Sequence, residues 1–109
     1  MKRISKIHLE QGDNPVMPSY LKRYFWDIDF SKLDPDKYST YVIERILDLG
    51  DVDAIKWLFD KYSKYEIKET VKNTRRLSKK SLNYWLIVLD LEPWRQQALA
   101  RKQNAIWNY

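Results

Sequence analysis

The sequence predicts an all-α fold, a compact bundle of about five short helices preceded by a loosely structured N-terminal arm. Three observations predict it. Glycine is nearly absent, with only Gly12 and Gly50 in 109 residues, and the four prolines fall between apolar stretches rather than inside them. Apolar residues recur at three- and four-residue spacing over most of the chain, the period of an amphipathic helix. Residues able to cap helices stand where those stretches begin. The length suits one domain, and 44% apolar residues suffice for one core.

Taken in order, residues 1–16 lack helical period. Ile7 and Leu9 alternate with His8, a pattern shared by a short strand and a loose arm. In PSYLKRYFWD, Pro18 suits a first helical turn, and Leu21, Tyr24 and Phe25 form a short stripe. Asp27-Ile28-Asp29-Phe30 reads as a connector. Asp34-Pro35 then reads as an N-cap followed by a first-turn proline, because Asp accepts an orphan N–H and Pro lacks only a donor that would be unused there. Tyr38, Val42, Ile46 and Leu49 follow at helical spacing, with Ile43 and Leu47 widening the stripe. Gly50 is expected to end that helix in a left-handed conformation. Asp51 or Asp53 starts the next, with Val52, Ile55, Leu58, Phe59 and Tyr62 on one face.

Ser63-Lys64-Tyr65-Glu66 fits a capping box and opens a third helix, carrying Ile67 and Val71, that runs to about Asn73. After the basic turn Asn73-Thr74-Arg75-Arg76-Leu77, Ser78 caps a helix with Leu82, Trp85, Leu86 and Leu89, the expected centre of the core. Its Trp85-Leu86-Ile87-Val88 run is expected to be buried. Glu92-Pro93 restarts a weakly amphipathic helix with Trp94, Ala98 and Leu99 that ends in Ile106-Trp107-Asn108-Tyr109. The expected organisation is therefore an arm (1–16), a helical core domain (17–92) and a C-terminal helix or tail (93–109).

Composition bounds function. No apolar run approaches the roughly 20 residues of a membrane span, and the basic opening MKRISKIHLEQG has no hydrophobic signal core, which predicts a cytoplasmic protein. With no cysteine there is no disulfide, thiolate metal site or thiol nucleophile. His8 is the only histidine, and two isolated glycines cannot build a phosphate loop. Asp27/Asp29, Asp34/Asp36 and Asp51/Asp53 each have the spacing that can hold a divalent cation on a strand. Helix capping and first-turn electrostatics already account for the second and third pairs. The expectation is thus a binding protein rather than an enzyme, with no metal and no cofactor.

Charge and aromatic content suggest what is bound. Residues 1–26 carry five Lys/Arg against two acids, residues 27–62 five against nine, and residues 63–109 ten against four. An acidic middle beside a basic C-terminal part is read either as separate contact surfaces or as ordinary solvated helix faces. Five Trp, eight Tyr and three Phe exceed what so small a core hides, and surface aromatics anchor partners. Trp94, Trp107 and Tyr109 are the candidate partner-binding residues, with a homodimer as one use of them. Lys72, Arg75, Arg76, Lys79 and Lys80 cluster across a helix–turn–helix layout and are the candidate nucleic-acid-binding residues. Against that reading, the helix after the turn offers only Asn83 as a base reader, and a solvated basic turn explains the same cluster.

The segments YFWDIDFSKLD, YVIERILDLGD, AIKWLFDKY, IKETVKNTRRLS and KKSLNYWL resemble a family of small helical prokaryotic proteins. The resemblance rests on Phe25-Trp26-Asp27, Ile43-Glu44-Arg45, Gly50-Asp51, Ile55-Lys56-Trp57-Leu58, Arg75-Arg76-Leu77-Ser78 and Tyr84-Trp85, and it covers about residues 20–90. Genes of that family often lie beside nucleotidyltransferase-like toxins of the abortive-infection type. The resemblance implies an antitoxin that neutralises such a toxin by direct contact. A helix-turn-helix regulator of its own operon, with DNA as partner, is the alternative. Within the shared motifs, Glu44, Arg45, Lys56 and Arg75 are expected to form internal ion pairs, and Trp26 and Trp57 to anchor the core.

Overall fold

A computed structural model describes residue 14 and residues 16–107, the last seven of these in backbone only. The described residues are all-α, as the glycine-poor, helix-periodic sequence predicts. They form two 3-10 helices and five α-helices, with no strand among them. Apart from Asn14 and Val16, the expected arm lies outside the described residues, as do Tyr109 and the side chain of Trp107. The chain divides into two units, the first ending at Val42 and the second beginning at Ile43.

The first unit is built from turns. A 3-10 helix over Ser19–Tyr24 follows Pro18, and a second spans Phe30–Lys32. Asp29 caps the second by accepting hydrogen bonds from the backbone N–H and the hydroxyl of Ser31, at 3.1 and 2.6 Å. Asn14 is buried, and its side chain uses both ends. Its Nδ2 donates to the carbonyls of Phe30 and Leu33 at 2.8 and 2.7 Å, and its Oδ1 accepts from the N–H groups of Val16 and Met17. A buried amide is tolerated when its donors and acceptor are matched in this way. Met17, Leu21, Tyr24, Phe25, Phe30 and Leu33 form the apolar interior of this unit, with the rings of Phe25 and Phe30 stacked at 6.0 Å.

Asp34 caps as its sequence suggests, accepting from the N–H groups of Asp36 and Lys37, and Tyr38 N–H donates to the Asp34 carbonyl. One turn later the continuous helix α1 begins, spanning Ser39–Leu49. Helix α2, Val52–Lys61, is capped by Asp51, whose carboxylate accepts from Ala54 N–H at 3.0 Å. Helix α3, Lys64–Asn73, is capped by the Ser63 hydroxyl and helix α4, Lys79–Val88, by that of Ser78. Helix α5 spans Glu92–Trp107.

Gly50 does end α1, but not by a left-handed conformation. A Cβ there would stand 2.7 Å from the Ile46 carbonyl oxygen and 3.0 Å from Ala54 Cβ. Close approach of backbone, rather than dihedral freedom, is what the position requires. The left-handed residue is Asp90, at φ 64°. It closes α4 in a Schellman arrangement, in which Leu91 N–H donates to the Leu86 carbonyl and Asp90 N–H to that of Ile87.

In the second unit, α3, α4 and α5 pack on one another, α4 most extensively against α5. Leu58, Ile67, Val71, Leu77, Leu82 and Leu86 are fully buried. Truncating any of these leucines or Ile67 to Ala removes about 2–5 kcal/mol. Trp85 is buried, donates its Nε1–H to the Leu47 carbonyl at 2.9 Å, and lies 6.0 Å from the Phe59 ring. It thus ties α4 to the end of α1 and to α2. The expected burial of the whole 85–88 run is corrected: Ile87 and Val88 are half exposed, at 49% and 50%. Four consecutive residues span more than a full helical turn, so only part of the run can face one interior.

Candidate functional site

The basic turn between α3 and α4 is held to α1 by two carboxylates one helical turn apart. Glu44 is buried at 7% exposure, and its Oε2 accepts the Thr74 hydroxyl at 2.7 Å. The same hydroxyl oxygen accepts from Arg76 N–H, and the Arg76 guanidinium stands 3.6 Å from Glu44 Oε1. Asp48 accepts from both the N–H and the hydroxyl of Ser78, at 3.2 and 3.0 Å. Between them Leu77 is fully buried. Thr74, Leu77 and Ser78 therefore fix the turn; of the four charged residues expected in internal ion pairs, Glu44 is buried on the Thr74 hydroxyl and faces Arg76, whereas Lys56 is exposed.

This clamp sorts the five candidate cations. Lys72 forms an ion pair with Glu69 at 2.7 Å and lies 4.3 Å over the Trp94 ring, and Arg76 faces Glu44. Arg75, Lys79 and Lys80 are exposed, the last two in the first turn of α4. Asn83 is half-buried and accepts from Arg95 Nε at 2.9 Å, so its amide is engaged inside the protein. Trp94, the one partner-binding candidate whose side chain is described, is 40% exposed beneath the Lys72 ammonium.

The first unit presents an apolar surface that the sequence pattern does not signal. Trp26, expected in the core, is 69% exposed, and Tyr20, Ile28 and Tyr38 are also exposed. Two grooves meet at Ile28. One, of about 530 Å³, is lined by Tyr20, Phe25, Trp26 and Phe30 with Lys22 and Arg23. The other, of about 400 Å³, is lined by Leu33, Tyr38 and Tyr41 with Asp29 and Lys32. Hydrophobicity alone cannot separate a buried Trp from one aimed outward, because the nearby turns leave Trp26 outside a regular stripe. Trp57, the other expected anchor, is half-buried, edge-on to Tyr62 at 6.1 Å.

The carboxylate pairs are occupied by local structure. Asp27 accepts the Tyr41 hydroxyl at 3.2 Å. Hydrogen bonding from the Ser31 hydroxyl, outweighing partial desolvation and aided by Ser31 N–H and nearby lysines, holds the Asp29 carboxyl below its ordinary range. Among the described residues no three His, Cys, Asp or Glu side chains gather as a metal site, and no helix is long and apolar enough to cross a membrane.

In the second unit an open groove of about 760 Å³ lies among the end of α1, the start of α2 and α4. Leu47, Val52, Ile55, Tyr84 and Trp85 supply its apolar lining. Lys56 and Lys80 also line it, as do Asp48 and Asp51.

No curated protein and no solved structure matches this chain. Residues 20–71 match the profile of a family of unknown function, DUF6922. The matched stretch takes in Trp26, Ile28, the Glu44 and Asp48 anchors, Gly50 and Lys56, and it stops before the basic turn. Over that stretch the chain is similar to this family.

Proposed function

We propose that this chain is a binding protein that neutralises a nucleotidyltransferase-type toxin by direct protein–protein contact, without catalysis of its own. The observation that carries the contact is the exposure of Trp26 beside Ile28, Tyr20 and Tyr38 in the first unit. Large aromatics in water are retained at a cost to solubility and are the side chains most enriched among binding hot spots. The toxin class comes from the family resemblance of the sequence. Co-expression with the product of the adjacent gene is the test: the pair is expected to co-purify and growth to be restored. Trp26→Ala is expected to weaken the complex by about 2 kcal/mol or more, roughly thirtyfold in Kd. No complex at micromolar concentration together with no rescue of growth rules the reading out.

A helix-turn-helix DNA-binding role is the second reading, supported by the exposure of Arg75, Lys79 and Lys80 around a Ser78-capped helix start. Its weakness is Asn83, whose amide is turned to Arg95. A mobility shift that falls steeply with salt and vanishes in the Arg75/Lys79/Lys80→Ala triple variant would favour it.

A further inference from the structure

We infer that the groove beside Trp26 in the first unit takes a short acidic segment of a partner protein, one that carries a bulky apolar side chain next to its Asp or Glu. The inference rests on reading this surface as a protein contact and adds the chemistry of what fits it. The lining combines the buried rings of Phe25 and Phe30 with Tyr20, Trp26 and Ile28, all three exposed. Such a surface gains most from a partner side chain that is itself large and apolar. A helical turn about 10–12 Å across fills roughly 400–600 Å³. The groove, at about 530 Å³, has room for the equivalent of one such turn, a few residues of the partner.

Charge selects the rest of the occupant. Lys22 and Arg23 line this groove, both are exposed, and no carboxylate lines it. The two acids nearest in sequence serve the fold. Asp27 accepts the Tyr41 hydroxyl, and Asp29, which lines the adjoining groove, accepts from the N–H and hydroxyl of Ser31. Even with the adjoining groove included, Lys22, Arg23 and Lys32 stand against Asp29 alone. Among the described residues Lys22 forms no ion pair. Arg23 lies 5.1 Å over the Tyr24 ring, a neutral partner, and its several N–H donors can serve a carboxylate as well. The surplus is positive, so the complementary segment is acidic.

Other occupants fit less well. Bases could stack on Tyr20 and Trp26, but two cations neutralise few phosphates, and a strand continuing into the adjoining groove would pass Asp29. A second copy presenting the same groove would bring like charge to like charge. Residues 1–13 are themselves basic, with Lys2, Arg3 and Lys6 against Glu10 and Asp13.

The test pans the full-length protein against a phage-displayed library of short random peptides and measures the enriched ones by fluorescence anisotropy. They are expected to join Asp or Glu to Trp, Phe or Leu. Their affinity should fall about tenfold or more for Lys22→Glu/Arg23→Glu and for Trp26→Ala. Lys-for-Asp exchange in the peptide should restore binding to the charge-reversal variant. Lys22→Glu alone leaves the Arg23–Tyr24 contact in place and should weaken binding about threefold; it decides the question should the double variant fail to fold in a thermal melt. Recovery of no peptide, enrichment without acidic bias, or binding indifferent to these substitutions overturns the inference. So does a single-stranded oligonucleotide, or a second copy of the chain, that occupies the groove in place of the peptides. The product of the adjacent gene is then added. Displacement of the peptides by it supports both readings. A complex that forms without displacing them overturns this inference and leaves the toxin reading in place. Peptides that bind while that product does not support the chemistry of the groove and remove the toxin as its occupant.

Discussion

Removing the Glu44 carboxylate should destabilise the second unit more than removing its ionic partner. Two interactions meet at Glu44: the buried Thr74 hydroxyl at 2.7 Å and the Arg76 guanidinium at 3.6 Å. The Arg76 side chain is 75% exposed, so solvent screens its pairing and Arg76→Ala should cost no more than about 1 kcal/mol. The hydrogen bond to Thr74 is charge-assisted and buried. Glu44→Ala deletes it and leaves the Thr74 O–H, in a site 3% exposed, without its acceptor. Loss of a bond to a charged group together with a stranded donor amounts to about 2–3 kcal/mol, after allowing for the relief of not desolvating the carboxylate. Glu44→Gln retains an amide oxygen that can accept from Thr74, and should cost about 1 kcal/mol. Urea unfolding of the wild type, the three single variants, Thr74→Val and the Glu44→Ala/Thr74→Val pair supplies the measurement, with the cycle giving a coupling of about 1–2 kcal/mol. If Arg76→Ala is as damaging as Glu44→Ala, or if the cycle shows no coupling, the Glu44–Thr74 bond is not what anchors the turn.

Three other outcomes follow from the same geometry. Gly50→Ala places a methyl against the Ile46 carbonyl, which cannot swing aside as a side chain would; a net loss of about 1–2 kcal/mol is expected after the gain from a stiffer unfolded chain, and an unchanged denaturation midpoint would contradict it. Asp90→Gly relieves a left-handed non-glycine residue and an acid at a helix C-terminus, and should raise stability by about 1 kcal/mol; a fall in the midpoint would show that the Asp90 side chain contributes something the backbone does not reveal. The Asp29 carboxyl titrates lower in the folded protein than in the unfolded chain, so its contribution is fully present above the ordinary Asp range near about 3.9 and is lost as pH falls through the lowered value. Asp29→Asn should therefore flatten the acid limb of a plot of melting temperature against pH, and an identical limb in the two proteins would refute this.

What can be read from the residues alone is set by how local the determining chemistry is. Asp34, Asp51, Ser63 and Ser78 are legible as caps because a cap is decided within three residues of its own backbone. The stop at Gly50 is legible and its cause is not, since the atom a side chain would strike belongs to the preceding helical turn. Asp90 escapes notice because the left-handed position of a Schellman ending usually holds Gly or Asn. Trp26, Ile87 and Val88 defeat the pattern for a different reason. Apolar spacing says which residues share a face but not whether a neighbour arrives to cover it. The Glu44–Thr74 and Asp48–Ser78 contacts span 30 residues each, beyond anything periodicity can report. For the candidate sites, the basic cluster is visible as composition. Which cations remain outward is not, because that depends on those distant carboxylates.

The uneven charge of the sequence takes a specific form once these bonds are traced. An acidic middle and a basic end suggest either separate contact surfaces or ordinary solvated helix faces. Yet Asp29, Asp34, Asp48 and Asp51 all accept from backbone N–H groups, and Glu44 is buried on a hydroxyl. These acids satisfy donors that helix starts and tight turns would otherwise leave unpaired. Lys56, Lys79 and Lys80 carry no comparable structural duty and stand exposed. The asymmetry is therefore one of role as well as sign: much of the negative charge is turned onto the protein's own backbone, while positive charge is left for encounters. Exposed lysines of the second unit therefore act mainly on the approach of a charged partner, so raising the ionic strength should alter its association more than its release.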